Sequence, residues 1–315
     1  MKRHGRQPIA LALGNFDGVH CGHQAILRDL VQKCRVHGWR PAVYTFDPHP
    51  AKILAPRTAP PLIQTPEQKR RALEAAGVAK VIVEKFDKKF SQMNPERFFE
   101  TVLVKRLRVR GIWVGHDFTF GHKRSGHAEM LAALCKKKGI GFRVIRPHFE
   151  GETLVSSTQI RALVRGGQVD LAAKLLGRPF ALTGKVVKGM GLGGKLGIHT
   201  ANLKVENELL PKTGLYITTT GLRTTDYGLR TKKNWPSVTS VGFNPTFPGK
   251  GFSVETHLIG FNGNLRGKKI EVAFLKWLRD ELVFPNEETL AAQIQNDIDE
   301  AVSFHKAVRA DRPAV

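Results

Sequence analysis

The chain has 315 residues, 41% of them hydrophobic, which is enough for two domains with buried cores. No apolar run reaches the roughly 18 residues of a membrane helix. Pro8 to Leu13 is too short for a signal peptide's apolar segment, so a cytoplasmic location is expected. Cys21, Cys34 and Cys135 form no CxxC pair, which excludes a disulfide framework and a zinc ribbon, and the net charge of +23 points to anionic ligands.

Ile9, Leu11 and Leu13 alternate as in a buried strand. Gly14, Asn15, Asp17 and Gly18 then predict a tight turn, with Gly and Asn taking positive φ. After His20 the period becomes helical. Ile26, Leu27, Leu30, Val31 and Cys34 share one face, and the helix stops near Gly38. His20 and His23 fall on one side of its first turn. A helix N-terminus with two imidazoles suits a polyphosphate, and Gly22 allows close backbone approach. Solvated imidazoles on an ordinary strand–helix turn, or zinc on His20, Cys21 and His23, are the alternatives.

Residues 40–47 read as a second strand, ended by Pro48-His49-Pro50, which argues against helix. A helix from Thr65 through Ala76, a third strand from Val78 to Val83 and a helix opening at Asn94 follow. Gly111 to Gly115 is a fourth strand. His116 to Gly126, too polar for the core, is predicted as a flexible active-site loop or simply a solvated one. A helix from Met130 to Lys138 and a strand from Phe142 to Ile145 complete the alternation, which predicts a parallel sheet. Ser156, Ser157 and Thr158 are N-cap residues ahead of another helix, with Arg161 one turn in, a second candidate phosphate cradle.

Beyond Phe180 strand-length segments succeed one another without helices: Leu182–Lys188, Gly214–Thr220, Val238–Gly242, Val254–Gly260 and Ile270–Trp277. Gly and Pro clusters separate them, which predicts a small antiparallel barrel. A helix from Glu287 to Val302 closes the domain, and Arg309 to Val315 reads as a tail. Gly189 to Gly197 form a glycine loop that can wrap a phosphate or simply turn a hairpin. Thr200 and Asn202 offer oxygens for Mg²⁺ or cap a turn. Glu255 can act as a general base or face solvent.

Gly14-Asn15-Phe16-Asp17-Gly18-Val19-His20-x-Gly22-His23 resembles the first signature of bacterial FAD synthetases, the bifunctional riboflavin kinase/FMN adenylyltransferases. Phe46-Asp47-Pro48-His49-Pro50 looks like their second. Gly115-His116-Asp117-Phe118-Thr119-Phe120-Gly121 resembles their Gly-x-Asp-Phe-x-Phe-Gly run. Val155-Ser156-Ser157-Thr158-Gln159-Ile160-Arg161 is similar to the Ile-Ser-Ser-Thr-x-Ile-Arg motif of the nucleotidylyltransferase superfamily. Residues 189–197, 200–203, 241–246 and 254–258 look like the riboflavin kinase domain, a six-stranded barrel in that family.

The resemblance implies an α/β chain of two domains. Residues 1–180 form a Rossmann-like nucleotidylyltransferase domain, 181–305 a riboflavin kinase-like β-barrel with a terminal helix, and 306–315 a tail. It implies phosphorylation of riboflavin by ATP and adenylylation of FMN to FAD with release of pyrophosphate. His20, His23 and Arg161 are the implied catalytic residues of the second step. Gly14, Asn15, Phe16, Asp17, Gly22, Ser156, Ser157 and Thr158 bind its nucleotide, and His49 and Asp117 contact flavin. In the kinase step Glu255 is the implied base, Thr200 and Asn202 hold Mg²⁺, and Gly189, Gly191 and Lys195 bind nucleotide.

The barrel departs from the family pattern at three places. Gly194 stands where an Arg is usual, His199 replaces the Pro of Pro-Thr-Ala-Asn, and Arg266 replaces a Tyr. A monofunctional adenylyltransferase with a degenerate, flavin-binding barrel is therefore the rival reading. Residues 1–180 carry 32 Lys and Arg against 14 Asp and Glu, a net +18, and the remainder 18 against 13, a net +5. The basic residues are scattered without interleaved aromatics, so small molecules rather than nucleic acid are the expected partners. An RNA-associating protein on this scaffold is the non-enzymatic rival.

Overall fold

The computed structural model describes residues 7–189, 198–223, 234–243 and 251–310. The chain divides into two compact units, Met1–Ser157 and Thr158–Val315.

In the first unit five strands form one sheet: β1 (Ile9–Leu13), β2 (Arg40–Asp47), β3 (Lys80–Lys85), β4 (Val109–Gly115) and β5 (Gly141–Ile145). All pairs are parallel, in the order β3-β2-β1-β4-β5. Leu11 and Leu13 join one core layer, with Tyr44, Ile112 and Phe99. Ala10 and Ala12 join the other, with Val43, Trp113 and Leu27. A strand apolar on both faces is what a sheet covered on both sides by helices requires. Helix α1 (Cys21–His37) covers the alanine face through Ile26, Leu27, Leu30 and Cys34, and Gly38 at φ 66° ends it. Helices α2 (Pro66–Ala75) and α3 (Ala128–Lys138) also belong to this unit. The strand order reverses at β1, and ligands of open α/β sheets bind beyond the carboxyl ends of strands at such a point.

Three local expectations are corrected. The helix opening at Asn94 is α-helical only over Pro95–Arg97 and continues as a π-helix over Phe98–Arg106, which buries Phe98, Phe99, Val102 and Leu103. Pro50 does not stop a helix but starts one, Pro50–Leu54, as the first helical residue whose missing N–H costs nothing. Residues 116–126 are not a free polar loop. Phe120 is buried in the core and pairs with Gly126 in a short hairpin, where a Cβ on Gly126 would lie 2.7 Å from the Phe120 ring.

The second unit opens with α4 (Ser157–Arg165, whose first residue belongs to the first unit) and α5 (Val169–Leu176). Helix α5 packs on barrel strands, so these helices group with the barrel. The barrel closes in the order β6-β7-β10-β9-β8-β11, entirely antiparallel: β6 (Phe180–Val187), β7 (Ala201–Val205), β8 (Gly214–Arg223), β9 (Asn234–Gly242), β10 (Ser253–Leu258) and β11 (Lys269–Arg279). Strand β7 is one that the sequence pattern does not announce. The interior carries a closed ring of hydroxyls, Thr218, Ser237, Thr220, Thr256 and Thr239, with links of 2.7–3.3 Å. All five are fully buried, and each is partnered by the next, as buried polar groups require. Helix α6 (Glu287–Ala310) runs past the expected end at Val302 because Phe304 packs on the Ile217–Val238 cluster and His305 Nε2 bonds the Thr218 carbonyl.

Candidate active site

The turn after β1 is held from several directions. Gly14 N–H donates to the Tyr44 carbonyl at 3.2 Å, and the Thr45 hydroxyl donates to the Asn15 carbonyl at 3.0 Å. The Asp17 carboxylate, buried, accepts the Ile63 N–H at 3.0 and 3.2 Å. Ser157 Oγ, at the start of α4, donates to the Asp17 carbonyl at 2.9 Å. Positive φ falls not on Gly14 or Asn15 but on Phe16 (51°), Gly18 (86°) and Val19 (39°). For Phe and Val that backbone is strained, and such strain persists only where the surroundings fix it. The Phe16 ring packs over Gly14, where a Cβ would sit 3.3 Å from it, and stands 5.0 Å from the His23 ring. Gly14 therefore serves close approach rather than backbone freedom.

His20 is the N-cap of α1. Its Nδ1 accepts the His23 N–H at 3.3 Å, which leaves Nε2 as the protonated nitrogen of the neutral ring. The two imidazoles stack with centroids 3.7 Å apart, and a Cβ on Gly22 would lie 3.2 Å from His20. Gly22 thus makes room for the His20 ring. Asn15 is exposed, and His23 and Cys21 are half-buried. Among the described residues no group of three or more His, Cys, Asp or Glu is placed to hold a metal, so the zinc alternative lacks a ligand set.

Beneath the turn lies Lys69, which sequence inspection passes over. Its Nζ donates to Thr45 Oγ1 at 2.8 Å. Burial pushes its amine down to about 8, while the charges of Asp17 and Asp47 oppose the fall.

His49 caps the helix Pro50–Leu54, its Nδ1 accepting the Ala51 N–H at 3.2 Å. Asp117 is exposed just past β4, where a Cβ on Gly115 would lie 3.1 Å from its Oδ1. Ser156 and Ser157 are half-buried and Thr158 exposed at the head of α4. Arg161 follows Ser157 by one turn and is buried.

On the barrel, Asn202 of β7 stands directly opposite Glu255 of β10. Thr200 Oγ1 donates to Glu255 Oε2 at 3.3 Å, and Ser253 Oγ to Oε1 at 3.2 Å. The neighbours Ala201, Leu203, Val254 and Thr256 are buried, so Asn202 and Glu255 lie on the outward side of their strands. A Cβ on Gly189 would collide with the Asn202 side chain, so this glycine permits close approach there. Gly191, Gly194, Lys195 and residues 244–246 lie outside the described residues. His199 is exposed, its carbonyl bonded by His257 Nδ1 at 2.9 Å. Arg266 is also exposed, its N–H donating to Asn264 Oδ1.

The FAD synthetase family profile matches residues 2–159, and the riboflavin kinase profile matches 176–305. The bifunctional riboflavin kinase/FMN adenylyltransferase of Haemophilus influenzae is 35% identical over 298 residues, 95% of this chain and 94% of its own. That of Escherichia coli K12 is 34% identical over 293 residues, 93% of this chain and 91% of its own. The chain belongs to the bifunctional riboflavin kinase/FMN adenylyltransferase family. A crystal structure of a Streptococcus pneumoniae protein described as a macrolide-efflux protein has a TM-score of 0.81 at 28% identity, covering 93% of both chains. No helix of the described residues here is long and apolar enough to cross a membrane.

Within this family the first unit brings together most of the expected site. Gly14 through His23 and Ser157 form one bonded cluster. The barrel likewise brings Thr200, Asn202 and Glu255 together. A riboflavin kinase match across the whole barrel favours two activities over one.

Proposed function

We propose that this protein makes FAD in two ATP-dependent steps, phosphorylating riboflavin to FMN and then adenylylating FMN with release of pyrophosphate. The observation that carries the second step is the strained turn at the end of β1, bonded to the head of α4 and capped by stacked His20 and His23. An ATP co-substrate supports a cytoplasmic location for the reaction.

In adenylylation a phosphate oxygen of FMN attacks the α-phosphorus, and the bond to the β-phosphate oxygen breaks. No covalent enzyme intermediate is needed, so catalysis is positioning and charge stabilisation. His20 Nε2–H and His23 donate to oxygens that gain charge as pyrophosphate leaves. The positive dipole end of α1 adds to the same field. Asn15, exposed on the turn, contacts phosphate. Ser156, Ser157, Thr158 and Arg161 give hydroxyl, N–H and guanidinium donors to the remaining phosphate oxygens. His49 and Asp117 contact flavin.

In the kinase step Glu255 takes the proton of the ribityl 5′-hydroxyl as that oxygen attacks the γ-phosphorus of ATP. The side-chain oxygens of Thr200 and Asn202 are hard donors two residues apart beside the Glu255 carboxylate, which fits Mg²⁺. When bound, Mg²⁺ neutralises charge on the phosphates. Ser253 and Thr200 orient the Glu255 carboxylate.

Incubating the purified protein with riboflavin, ATP and Mg²⁺, and in parallel with FMN, tests the reading by chromatography of the products. FAD from both substrates is expected. FAD from FMN alone would leave the barrel as a binding domain, and FAD from neither would overturn the proposal.

A further inference from the structure

Lys69 is an expensive residue where it stands. It lies in the first turn of α2, where the helix dipole disfavours a cation, and it is half-buried with its amine against the buried Thr45 hydroxyl. The helix does not need it. Thr65 and Gln68 form a complete capping box, and Pro66 presets the first turn. A neutral aliphatic side chain would pack there at lower cost.

What the ammonium does is visible in its bonds. A protonated amine has donors only, so it occupies a lone pair of Thr45 Oγ1 at 2.8 Å. The Thr45 hydrogen is then directed to the Asn15 carbonyl at 3.0 Å. Thr45 is buried, so water does not substitute in this chain. The charged groups facing the amine are Asp17, from the turn, and Asp47, from the end of β2. Asp17 is itself bonded to Ile63 N–H. A neutral amine can accept from Thr45 instead, which releases the Asn15 carbonyl.

We propose that Lys69 is a positioning residue of the adenylylation site, acting through Thr45 to fix the Asn15–Asp17 turn on which His20 depends. This rests on the adenylylation reading above. Lys69 touches no substrate in this account. Its charge state sets the direction of one buried hydrogen bond, and that bond holds a turn strained at Phe16 and Val19.

The test compares Lys69→Met, Lys69→Arg, Thr45→Val and the Lys69→Met/Thr45→Val double variant with the wild-type protein. FAD formation from FMN is measured across pH 6 to 9.5. Hydrogen exchange of the 14–20 backbone is measured at one pH without substrate. Lys69→Met and Thr45→Val should each lower kcat by about tenfold or more, as misplacement of reacting groups does. The double variant should be no worse than the worse single one, because both break one chain. The wild-type rate should fall on an alkaline limb near pH 8, absent in Lys69→Met and in Thr45→Val. Lys69→Arg keeps the charge and should move that limb beyond the measured range. The 14–20 amides should exchange faster in Lys69→Met and Thr45→Val than in the wild type.

Unchanged kcat, pH limb and exchange in Lys69→Met would overturn the proposal. So would a rise in KM for ATP with kcat intact, which marks a direct substrate contact. If the wild-type protein makes no FAD from FMN, the adenylylation reading fails, and Lys69 loses its site even where exchange still reports the bond chain. Riboflavin phosphorylation and the thermal melt of each variant separate these outcomes from misfolding.

Discussion

The turn at the end of β1 and the Thr200–Asn202–Glu255 face of the barrel are two sites built in different ways. The turn is fixed before any substrate arrives. Tyr44, Thr45, Ile63 and Ser157 hold its backbone and carboxylate, and two of its non-glycine residues carry positive φ. The barrel face is Thr200 and Asn202, at the start of β7, opposite Glu255 of the paired β10, whose carboxylate accepts from Thr200 at 3.3 Å and from Ser253 at 3.2 Å. Its rigid part lies behind it, in the hydroxyl ring of the interior. The lesson is where each site keeps its precision. The adenylylation turn stores it in backbone strain and buried bonds, the kinase face in strand register.

That contrast predicts separable damage. The largest effect belongs to Glu255→Gln, which keeps the register and removes the carboxylate proposed as the base. FMN formation from riboflavin should fall by about 10²–10⁴-fold, the usual worth of a general base. FAD formation from FMN, followed in the same preparation, should be unchanged. Loss of both activities would mean the two sites are not independent.

Next in size is the stability cost of Lys69. The folded protein binds fewer protons than the unfolded chain between about 8 and the ordinary lysine value of 10.5. Stability therefore rises with pH across that window, and below it the burial cost is present in full. Lys69→Met should stabilise the protein at pH 7 by up to about 3 kcal/mol, with the gain fading towards pH 10.5. Urea melts at pH 7 and pH 10 measure it. A variant that is more stable yet slower would show that the turn is held at a cost to the fold.

The smallest effect is that of Ser157→Ala, which breaks the bond from the head of α4 to the Asp17 carbonyl. A lost hydrogen bond of this kind destabilises by about 1 kcal/mol. FAD formation should drop more than that figure conveys, since the bond pins the Asp17 carbonyl of the turn, and FMN formation should not. A thermal melt with both assays reads the three quantities together.

Much of this was legible in residue order. The apolar alternation of Ile9, Leu11 and Leu13 and the period change after His20 mark the strand–turn–helix directly. The succession of short strands after Phe180 marks the barrel. Thr45 and Lys69 were not legible, because a threonine in a buried strand and a lysine in an amphipathic helix look like ordinary members of their elements. Only the parallel pairing of β1 with β2 brings Thr45 to Asn15. Residue type points to positive φ at Gly14, Asn15 and Gly18; Gly18 carries it at 86°, and the other positive values fall on Phe16 and Val19 instead of Gly14 and Asn15. The loop at 116–126 reads as polar because its charged and Gly residues outnumber its two phenylalanines, yet Phe120, with Phe118 stacked on it, anchors it in the core. Strand β7 was hidden because its five residues, Ala201 to Val205, carry polar Asn202 and Lys204 on the outward side.

The central claim is that FMN is adenylylated at the His20–His23 turn, and one measurement addresses it most directly. Wild-type and His20→Ala proteins, both shown to be folded, are given riboflavin, ATP and Mg²⁺, and the products are separated over time. The wild type should convert riboflavin through FMN to FAD. His20→Ala should form FMN at the wild-type rate and stop there, with FAD formation slowed by about 10²-fold or more, as loss of a charge-stabilising donor does. FAD appearing at the wild-type rate in His20→Ala would contradict the account.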